Sequence, residues 1–258
     1  MSRMSHMTEA DSDVAAGPQV QVVRLGRYGV DPLVASAGTI DVWFGAVVHD
    51  PHDCDSLKYE LSAAERERAD AIRHPSAKAQ SITGRARLRE LLAAYLRCSP
   101  QAVVIEARPD GKPVLCDPHG GLHFNLSHTH DAWAVVLGRI DVGIDLEGLR
   151  PIAGAAALVQ RYFHETEAAQ FHALPTELQT EGFFRGWTLK EAVLKGIGCG
   201  IRGLEHCRID LDPRLPPAIV GDDALTQGWQ VAVVKPFPEH ILSVAARTMR
   251  PLRTQVMS

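Results

Sequence analysis

Alternating apolar and polar residues predict most strands of this chain, and a longer spacing of apolar residues predicts its helices. Alternation or short apolar runs indicate strands at 39–48, 103–106, 114–115, 122–126, 132–137, 140–146, 207–211, 230–234 and 241–246. Helical spacing indicates helices at about 63–73, 77–97, 163–175 and 181–195. Ser62 and Glu65 form a capping-box pattern at the first of these helices. The pattern therefore predicts an α+β protein.

The same order of elements occurs twice along the chain. Each half is expected to hold a strand, a short helix that ends at a proline, a long helix and further strands, although few residues are identical between the halves. The boundary is expected near residues 138 and 139. We therefore predict a disordered tail at 1–19, an N-terminal lobe at 20–138, a C-terminal lobe at 139–250 and a second tail at 251–258.

Composition places the chain among soluble globular proteins. Of its 258 residues, 45% are hydrophobic and 22% charged, which is ordinary for a protein with a sizeable core. The net charge of −4 argues against nucleic-acid binding, and no apolar run approaches the roughly 18 residues of a membrane span. Five cysteines without a C-x-x-C pair favour reduced thiols, and the N-terminus lacks the features of a secretory signal. We therefore expect a cytoplasmic protein with neither a membrane nor a nucleic-acid partner.

Two carboxylates share one face of the strand predicted at 140–146, which is taken one residue further to include Glu147. Val142, Ile144 and Leu146 alternate with Gly143, and then with Asp145 and Glu147, in a run of six residues. Period-two geometry places the two carboxylates roughly 6–7 Å apart on the same face. Such a pair repels itself unless a cation or solvent lies between its members. An edge strand with a solvated polar face would give the same pattern.

A second stretch combines an acid and two lysines on the predicted helix at 181–195. Trp187, Glu191 and Lys195 are spaced four residues apart, so they share one helix face, and Lys190 lies on the neighbouring row. An ordinary surface pair of glutamate and lysine would give this spacing too. The tryptophan weakens that interpretation, because this residue is seldom left fully in water.

These two stretches, in this order, resemble the signatures of the 4′-phosphopantetheinyl transferases. That family has a V/I-G-I/V-D strand, followed about forty residues later by W/F-S/C/T-x-K-E-A/S-x-x-K, and every defined position is matched at 142–145 and 187–195. Gly-Lys-Pro at 111–113 and Asn-Leu-Ser-His at 125–128 match two further family elements. The resemblance covers about 61–198. By its length the chain looks like the large, single-chain Sfp-type branch.

The resemblance implies a fold, a reaction and a metal site. It implies two similar α/β lobes related by a pseudo-twofold axis, with the active site in the cleft between them, in a protein that is a monomer. The implied reaction transfers 4′-phosphopantetheine from coenzyme A to a serine of an acyl or peptidyl carrier protein, with Mg²⁺, or Mn²⁺ in its place. Asp145, Glu147 and Glu191 would hold the ion. Glu191 would also accept the serine proton, directly or through a water, and Lys195 would meet the diphosphate.

The same resemblance nominates residues for binding coenzyme A. Lys112, Pro113, Ser127 and His128 are expected around the nucleotide and its 3′-phosphate, and Lys190 is a weaker candidate for a phosphate contact beside Lys195. Relatives carry a basic residue near the position of Gln80, which this chain lacks. Arg73, Lys78 and Arg85 are the expected substitutes. Glu167 matches an acid sometimes linked to catalysis, but a carboxylate at a helix start is also favoured by the helix dipole.

Two other functions remain open from the residues alone. A metal-dependent phosphohydrolase acting on a nucleotide diphosphate would use the same three carboxylates and a lysine. A zinc-stabilised binding module without enzymatic activity is the second alternative. It would use Cys116 and the histidines that follow it, although their spacing fits no common structural zinc site. The candidates are His119, His123, His128 and His130.

Overall fold

The computed structural model describes residues 18–24, 38–116 and 121–256, and two β-sheets form its centre. The strands are β1 (Gln19–Arg24), β2 (Thr39–Ala46), β3 (Ile105–Ala107), β4 (Pro113–Leu115), β5 (His123–His128), β6 (Ala132–Gly138), β7 (Val142–Gly148), β8 (Trp229–Val234), β9 (His240–Arg247) and β10 (Arg253–Val256). The α-helices are α1 (Pro51–Leu57), α2 (Ala63–Ala71), α3 (Pro75–Leu96), α4 (Ala155–Tyr162), α5 (Glu165–Ala173) and α6 (Thr176–Ile197). Short 3₁₀ helices occupy Lys58–Glu60, Pro100–Ala102 and Gly200–Gly203. The mixed α+β class predicted from the sequence is confirmed.

Strand pairing changes at the end of β6, although the C-terminal strand β10 returns to the first sheet. The first sheet has five strands in the order β10-β1-β2-β6-β5, in which β1 runs parallel to both β10 and β2. The second sheet has the antiparallel order β7-β9-β8, and β3 with β4 forms a separate hairpin. The chain therefore leaves the first sheet at Gly138 and enters the second at Val142.

Side-chain alternation along β6 shows how the layers pack. Ala132, Ala134 and Val136 lie in the core shared with the second sheet, whereas Trp133 and Val135 lie in the core beneath α3. The two sheets thus pack face to face, and each carries a 22-residue helix on its outer face, α3 on the first and α6 on the second. Burial of each large aliphatic side chain in these cores stabilises the fold by roughly 1.5–3 kcal/mol.

Strand β7 and helix α6 are in backbone contact at Gly143. A Cβ atom at this position would overlap the carbonyl oxygen of Ala192 and lie 2.6 Å from the nitrogen of Gly196. Any residue larger than glycine would therefore push the helix away from the strand. Because side chains repeat every two residues on a strand, Asp145 and Glu147 face α6 as Gly143 does.

The structure confirms some predicted elements and corrects others. The Ser62 capping box is present, with Glu65 bonded back to the Ser62 nitrogen at 3.0 Å. The strand predicted at 207–211 is wrong, because only one isolated bridge forms there, from Ile209 to Ile219. Side chains of α5, and not a neighbouring strand, accept hydrogen bonds from this backbone. Glu167 accepts one from the Ile209 nitrogen at 2.7 Å, and Gln170 accepts one from the Leu211 nitrogen at 2.9 Å.

The chain ends also differ from the predicted tails. Residues 253–256, expected in the C-terminal tail, form β10 and pair with β1, which begins at residue 19. Most of the predicted N-terminal tail, 1–17, lies outside the described residues. Helices α1 and α4 were not expected from the sequence. Within the described ranges, no helix combines the length and apolar character needed to cross a membrane.

Candidate active site

The contact between β7 and α6 gathers the charged residues nominated from the sequence. Asp145 is buried, and its Oδ1 lies 2.5 Å from Nζ of Lys195. Glu191 lies one helical turn before Lys195, on the same face of α6. Glu147 is half-buried and bonded at 3.2 Å to Arg150. Strand periodicity and helix periodicity thus bring Lys195 to the same place as three carboxylates, the acid group of Asp145, Glu147 and Glu191.

Strand β5 closes the remaining edge of β7 with side chains. The Asn125 Oδ1 accepts a hydrogen bond from the Ile144 nitrogen at 3.0 Å, and the Ser127 Oγ accepts one from the Leu146 nitrogen at 3.2 Å. Ser127 also donates to Oδ1 of Asp145 at 2.9 Å. Ser127 is therefore both a link between the two sheets and a neighbour of the acid group.

Burial raises the pKa of all three carboxylates, and charge repulsion raises it further at two of them. Burial raises the pKa of Asp145, although Lys195 and Ser127 act in the opposite direction. Burial and then the charge of Asp145 raise the pKa of both Glu147 and Glu191. Asp145 Oδ2 and Glu191 Oε1 are buried oxygen atoms without a hydrogen-bond partner. Such orphaned oxygens are expensive in a folded protein unless a ligand satisfies them.

These donors fit a magnesium ion in their chemistry. Mg²⁺ prefers oxygen ligands and usually binds through one or two carboxylates together with substrate phosphates. The two unpartnered buried oxygens, on Asp145 and Glu191, are donors that a divalent cation would satisfy. Among the described residues, no group of three or more His, Cys, Asp or Glu side chains is gathered closely enough to hold a metal ion as it stands. Two of the acids form ion pairs: Asp145 pairs with Lys195, and Glu147 pairs with Arg150.

A pocket rich in cationic and polar groups adjoins the acids. Its volume is about 420 Å³, and its walls come from α3, β5 and the end of α6. Partial desolvation, followed by the charges of Lys195 and Arg85, lowers the pKa of His128 although part of its ring remains exposed. Burial also lowers the pKa of Arg85. The nominated residues in this pocket are Arg85, Pro113, Ser127, His128 and Lys195.

Lys112 lies beside this pocket but is bonded elsewhere. Its side chain is buried, burial lowers its pKa, and its ammonium donates to the Gly196 carbonyl at the end of α6. It lines a smaller neighbouring pocket of about 140 Å³, which shares Pro113 with the larger one. The structure therefore shows Lys112 fixing the β3–β4 hairpin to the end of α6, and not lining the larger pocket.

Lys190 is contradicted as a phosphate contact. Its side chain is 0% exposed, and its Nζ lies 2.7 Å from Glu167, 2.8 Å from the Leu204 carbonyl and 2.5 Å from the Cys207 carbonyl. An ammonium has three hydrogens, so these acceptors leave none for a ligand. Glu167 caps α5 through the His164 nitrogen at 2.8 Å. Its contacts therefore support a structural role for Glu167 at the start of α5.

Two of the three substitute cations also lie away from the pocket. Arg73 is exposed in the connection between α2 and α3 and is not among the pocket-lining residues. Lys78 lies 3.7 Å from the Asp70 carboxylate and donates to its carbonyl at 3.3 Å. Of these three cations, Arg85 alone lines the pocket, about two turns after Lys78 along α3.

Sequence reasoning missed Arg150 and the space beside it. Arg150 lies over the Phe184 ring at 5.1 Å and rims a second pocket of about 410 Å³. Glu147 and Trp187 line the same pocket, so it adjoins the acids on another side. A basic residue three positions after Glu147 was the available signal. The walls of this pocket are otherwise mainly apolar: Pro151, Ile152, Ala153, Leu158, Phe183 and Phe184.

The residues proposed for zinc lie apart wherever the structure describes them. His123 pairs with Asp141 at 3.0 Å, His128 lines the cationic pocket, and the ring of His130 lies 5.2 Å from that of His49. Cys116 contacts Glu106. His119 lies outside the described residues. The described side chains therefore give no support to a zinc-stabilised module.

Comparison with known proteins identifies the family. Residues 141–245 match the family model described as the 4′-phosphopantetheinyl transferase superfamily. The 4′-phosphopantetheinyl transferase HetI of Nostoc sp. is 36% identical over 192 residues, which are 73% of this chain and 79% of that protein. The 4′-phosphopantetheinyl transferase psf-1 of Bacillus pumilus is 31% identical over 76% of this chain and 88% of its own. A phosphopantetheinyl transferase of Thraustochytrium sp. is 31% identical over 76% and 74%. The chain is therefore a transferase that belongs to the 4′-phosphopantetheinyl transferase superfamily.

Proposed function

We propose that this protein transfers the 4′-phosphopantetheine group from coenzyme A to a serine of an acyl or peptidyl carrier protein, with Mg²⁺, or Mn²⁺ in its place, and releases 3′,5′-adenosine diphosphate. The observation that carries the proposal is the junction of two features. A buried acid group with orphaned oxygens meets a cationic pocket, and Lys195 and Ser127 belong to both. Metal and diphosphate would meet at that junction.

The cationic pocket suits the nucleotide end of coenzyme A. Arg85 and His128 offer charge and hydrogen-bond donors for the 3′-phosphate, and Lys195, nearer the acids, faces the diphosphate. Guanidinium groups bind phosphate through paired hydrogen bonds. His128 would bind more strongly once protonated, because a phosphate beside it favours its charged form.

The acid group suits catalysis of the transfer. Asp145, Glu147 and Glu191 would hold Mg²⁺, and the bound ion would supply positive charge against the diphosphate. Glu191 has a raised pKa and an unpartnered oxygen, so it is suited to take the serine proton. The serine oxygen then bonds to the β-phosphorus while the bond from that phosphorus to the leaving nucleotide breaks. Lys195 stabilises the negative charge that develops on the leaving phosphate.

The second pocket offers a route for the carrier protein. It lies on the side of Glu147 next to Trp187 and Arg150, so a serine entering there would approach the acids from a different wall than the nucleotide. Its apolar walls and one exposed arginine suit the amphipathic, acidic helix that follows the modified serine in carrier proteins. Opposite charges at such a rim speed encounter more than they raise affinity.

The remaining expectations concern assembly and location. Elements from both halves of one chain form the site, α3 and β5 from the first and β7 and α6 from the second, which supports a monomer of the large Sfp-type branch with two lobes related by a pseudo-twofold axis. All five cysteines are free, which supports a reducing compartment such as the cytoplasm.

Dependence on the carrier tests this function. Release of 3′,5′-adenosine diphosphate from coenzyme A is measured with Mg²⁺, with and without an apo-carrier protein, for the wild type and for Asp145→Asn. We expect release only when the carrier is present, and loss of release in the variant. Release at the same rate without a carrier would show a phosphohydrolase and refute the transfer.

A further inference from the structure

The ammonium of Lys195 is paired with Asp145, one of the three acids that would hold a metal ion in the proposed function. Its Nζ lies 2.5 Å from Oδ1 of Asp145 and 3.3 Å from Oγ of Ser127. The Asp145 side chain is 6% exposed and cannot turn to water, whereas the Lys195 side chain is 32% exposed and also lines the cationic pocket. The Lys195 side chain can therefore move from the ion pair toward the pocket, whereas the Asp145 carboxylate stays buried.

Arg150 repeats this arrangement at a second acid. It lies 3.2 Å from Glu147 and donates to the Gly148 carbonyl at 2.9 Å, and its side chain is 61% exposed. Each of the two strand carboxylates is thus paired with a cation on a long, partly exposed side chain. A buried carboxylate cluster without such counter-ions would be strongly destabilising.

We propose that Lys195 is an exchangeable counter-ion, which neutralises Asp145 in the metal-free protein and is displaced into the cationic pocket when a divalent cation binds. This inference rests on the cation site of the proposed function. It adds a coupling between two ligands: a metal ion at Asp145 frees the ammonium that then meets the diphosphate. Metal binding would therefore prepare the coenzyme A pocket before any phosphate bridges the ion.

Exchange predicts opposite effects on metal and nucleotide. While Lys195 covers Asp145, only the open fraction of the protein binds metal, and the apparent Kd is the intrinsic Kd divided by that fraction. Lys195→Met removes the competitor, so metal should bind more tightly. The same change removes a cation from the pocket, so 3′,5′-adenosine diphosphate should bind more weakly. A lysine that served only the diphosphate would leave metal affinity unchanged.

The test measures Mn²⁺ binding without nucleotide, by paramagnetic resonance of the free ion, together with thermal unfolding in chelator. For Lys195→Met we expect the Kd for Mn²⁺ to fall about tenfold or more, within the range usual for coupled sites. Its unfolding temperature should fall in chelator and recover on addition of Mn²⁺, because ligand binding to the folded state stabilises it. Lys235→Met removes an exposed lysine that pairs with the half-buried Glu181 at 2.7 Å, and it should change neither property.

Two further variants keep the test decisive. If Lys195→Met does not fold, Lys195→Gln keeps a hydrogen-bond donor without the charge and should also bind Mn²⁺ more tightly. Asp145→Asn/Lys195→Met removes both charges, so it should unfold near the wild-type temperature in chelator and lose Mn²⁺ binding. Unchanged or weaker Mn²⁺ binding in the Lys195 variants, with a normal wild-type Kd, would overturn the exchange. Absence of Mn²⁺ binding in the wild type would overturn the proposed metal site and the exchange with it.

Discussion

Replacement of Lys190 by methionine should unfold the protein more easily and leave its use of coenzyme A intact. Methionine keeps much of the length of the side chain but none of its hydrogen bonds. It leaves the carboxylate of Glu167, which is 2% exposed, without the cation 2.7 Å away. The carbonyls of Leu204 and Cys207 lose a donor as well. The change therefore strands one charge and two carbonyls in the protein interior.

The magnitude follows from the burial of the pair. Removing one partner of a buried ion pair costs about 3–5 kcal/mol. Glu167 keeps hydrogen bonds from the His164 and Ile209 nitrogens, which places the expected loss in the middle of that range, near 4 kcal/mol. At roughly 2–4 °C per kcal/mol for a chain of about this size, the unfolding temperature should fall by about 8–16 °C.

Two measurements check this prediction. Circular dichroism follows unfolding in urea, and KM for coenzyme A is measured well below the melting temperature. Lys235→Met is the matched control, because Lys235 is exposed and its pair with the half-buried Glu181 lies at the surface, where such pairs contribute about 0–1 kcal/mol. Glu167→Gln/Lys190→Met should recover part of the lost stability, since the stranded charge is gone. A Lys190→Met protein that is as stable as the control, but has a raised KM for coenzyme A, would refute the buried-pair account and return Lys190 to the pocket.

Three further variants probe the site and the capping box of α2. Glu191→Gln should lower kcat about 10²–10³-fold, whereas Glu181→Gln on the same helix should not; equal kcat in both variants would exclude Glu191 as the proton acceptor. His128→Gln should raise KM for coenzyme A with little change in kcat and weaken the preference over 3′-dephospho-coenzyme A; an unchanged preference would remove His128 from the 3′-phosphate site. Burial raises the pKa of Glu65, but its bonds from Arg89 and the helix N-cap outweigh burial, so the pKa in the folded protein is below its ordinary value. Its stabilisation is therefore present above the ordinary carboxyl pKa and lost as pH falls through the lowered one, and Glu65→Gln should flatten this acid dependence in urea titrations; parallel curves would contradict it.

Local periodicity predicts the acid group well. Asp145 and Glu147 share a strand face by period two, and Glu191 and Lys195 share a helix face one turn apart. The structure turns these faces toward each other because Gly143 lets α6 touch β7. Each face could be predicted from the sequence, but their meeting could be inferred only from the family resemblance.

Lys190 and Lys112 show what the sequence could not provide. Lys190 is one residue from Glu191, so it points about a quarter-turn away on the helix, and nothing local reveals that this side is closed by Leu204 and Cys207. Lys112 lies in a turn that suggests exposure, but its ammonium donates to the carbonyl of Gly196. Partners distant in the sequence decided both cases.

Non-local pairing also explains the fold elements that were missed. Residues 253–256 form a strand only because β1 offers its edge, more than two hundred residues earlier in the sequence.

The most direct test of the central claim is the intact mass of an apo-carrier protein after incubation with this protein, coenzyme A and Mg²⁺. We predict that the carrier gains the mass of one phosphopantetheine group. The gain should disappear when the acceptor serine of the carrier is replaced by alanine, when the ion is chelated, or when the enzyme is Asp145→Asn. An unchanged carrier mass across fatty-acid, polyketide and peptide carriers, with folded wild-type protein, would contradict the proposed transfer. Full modification in excess chelator would contradict the role of the metal.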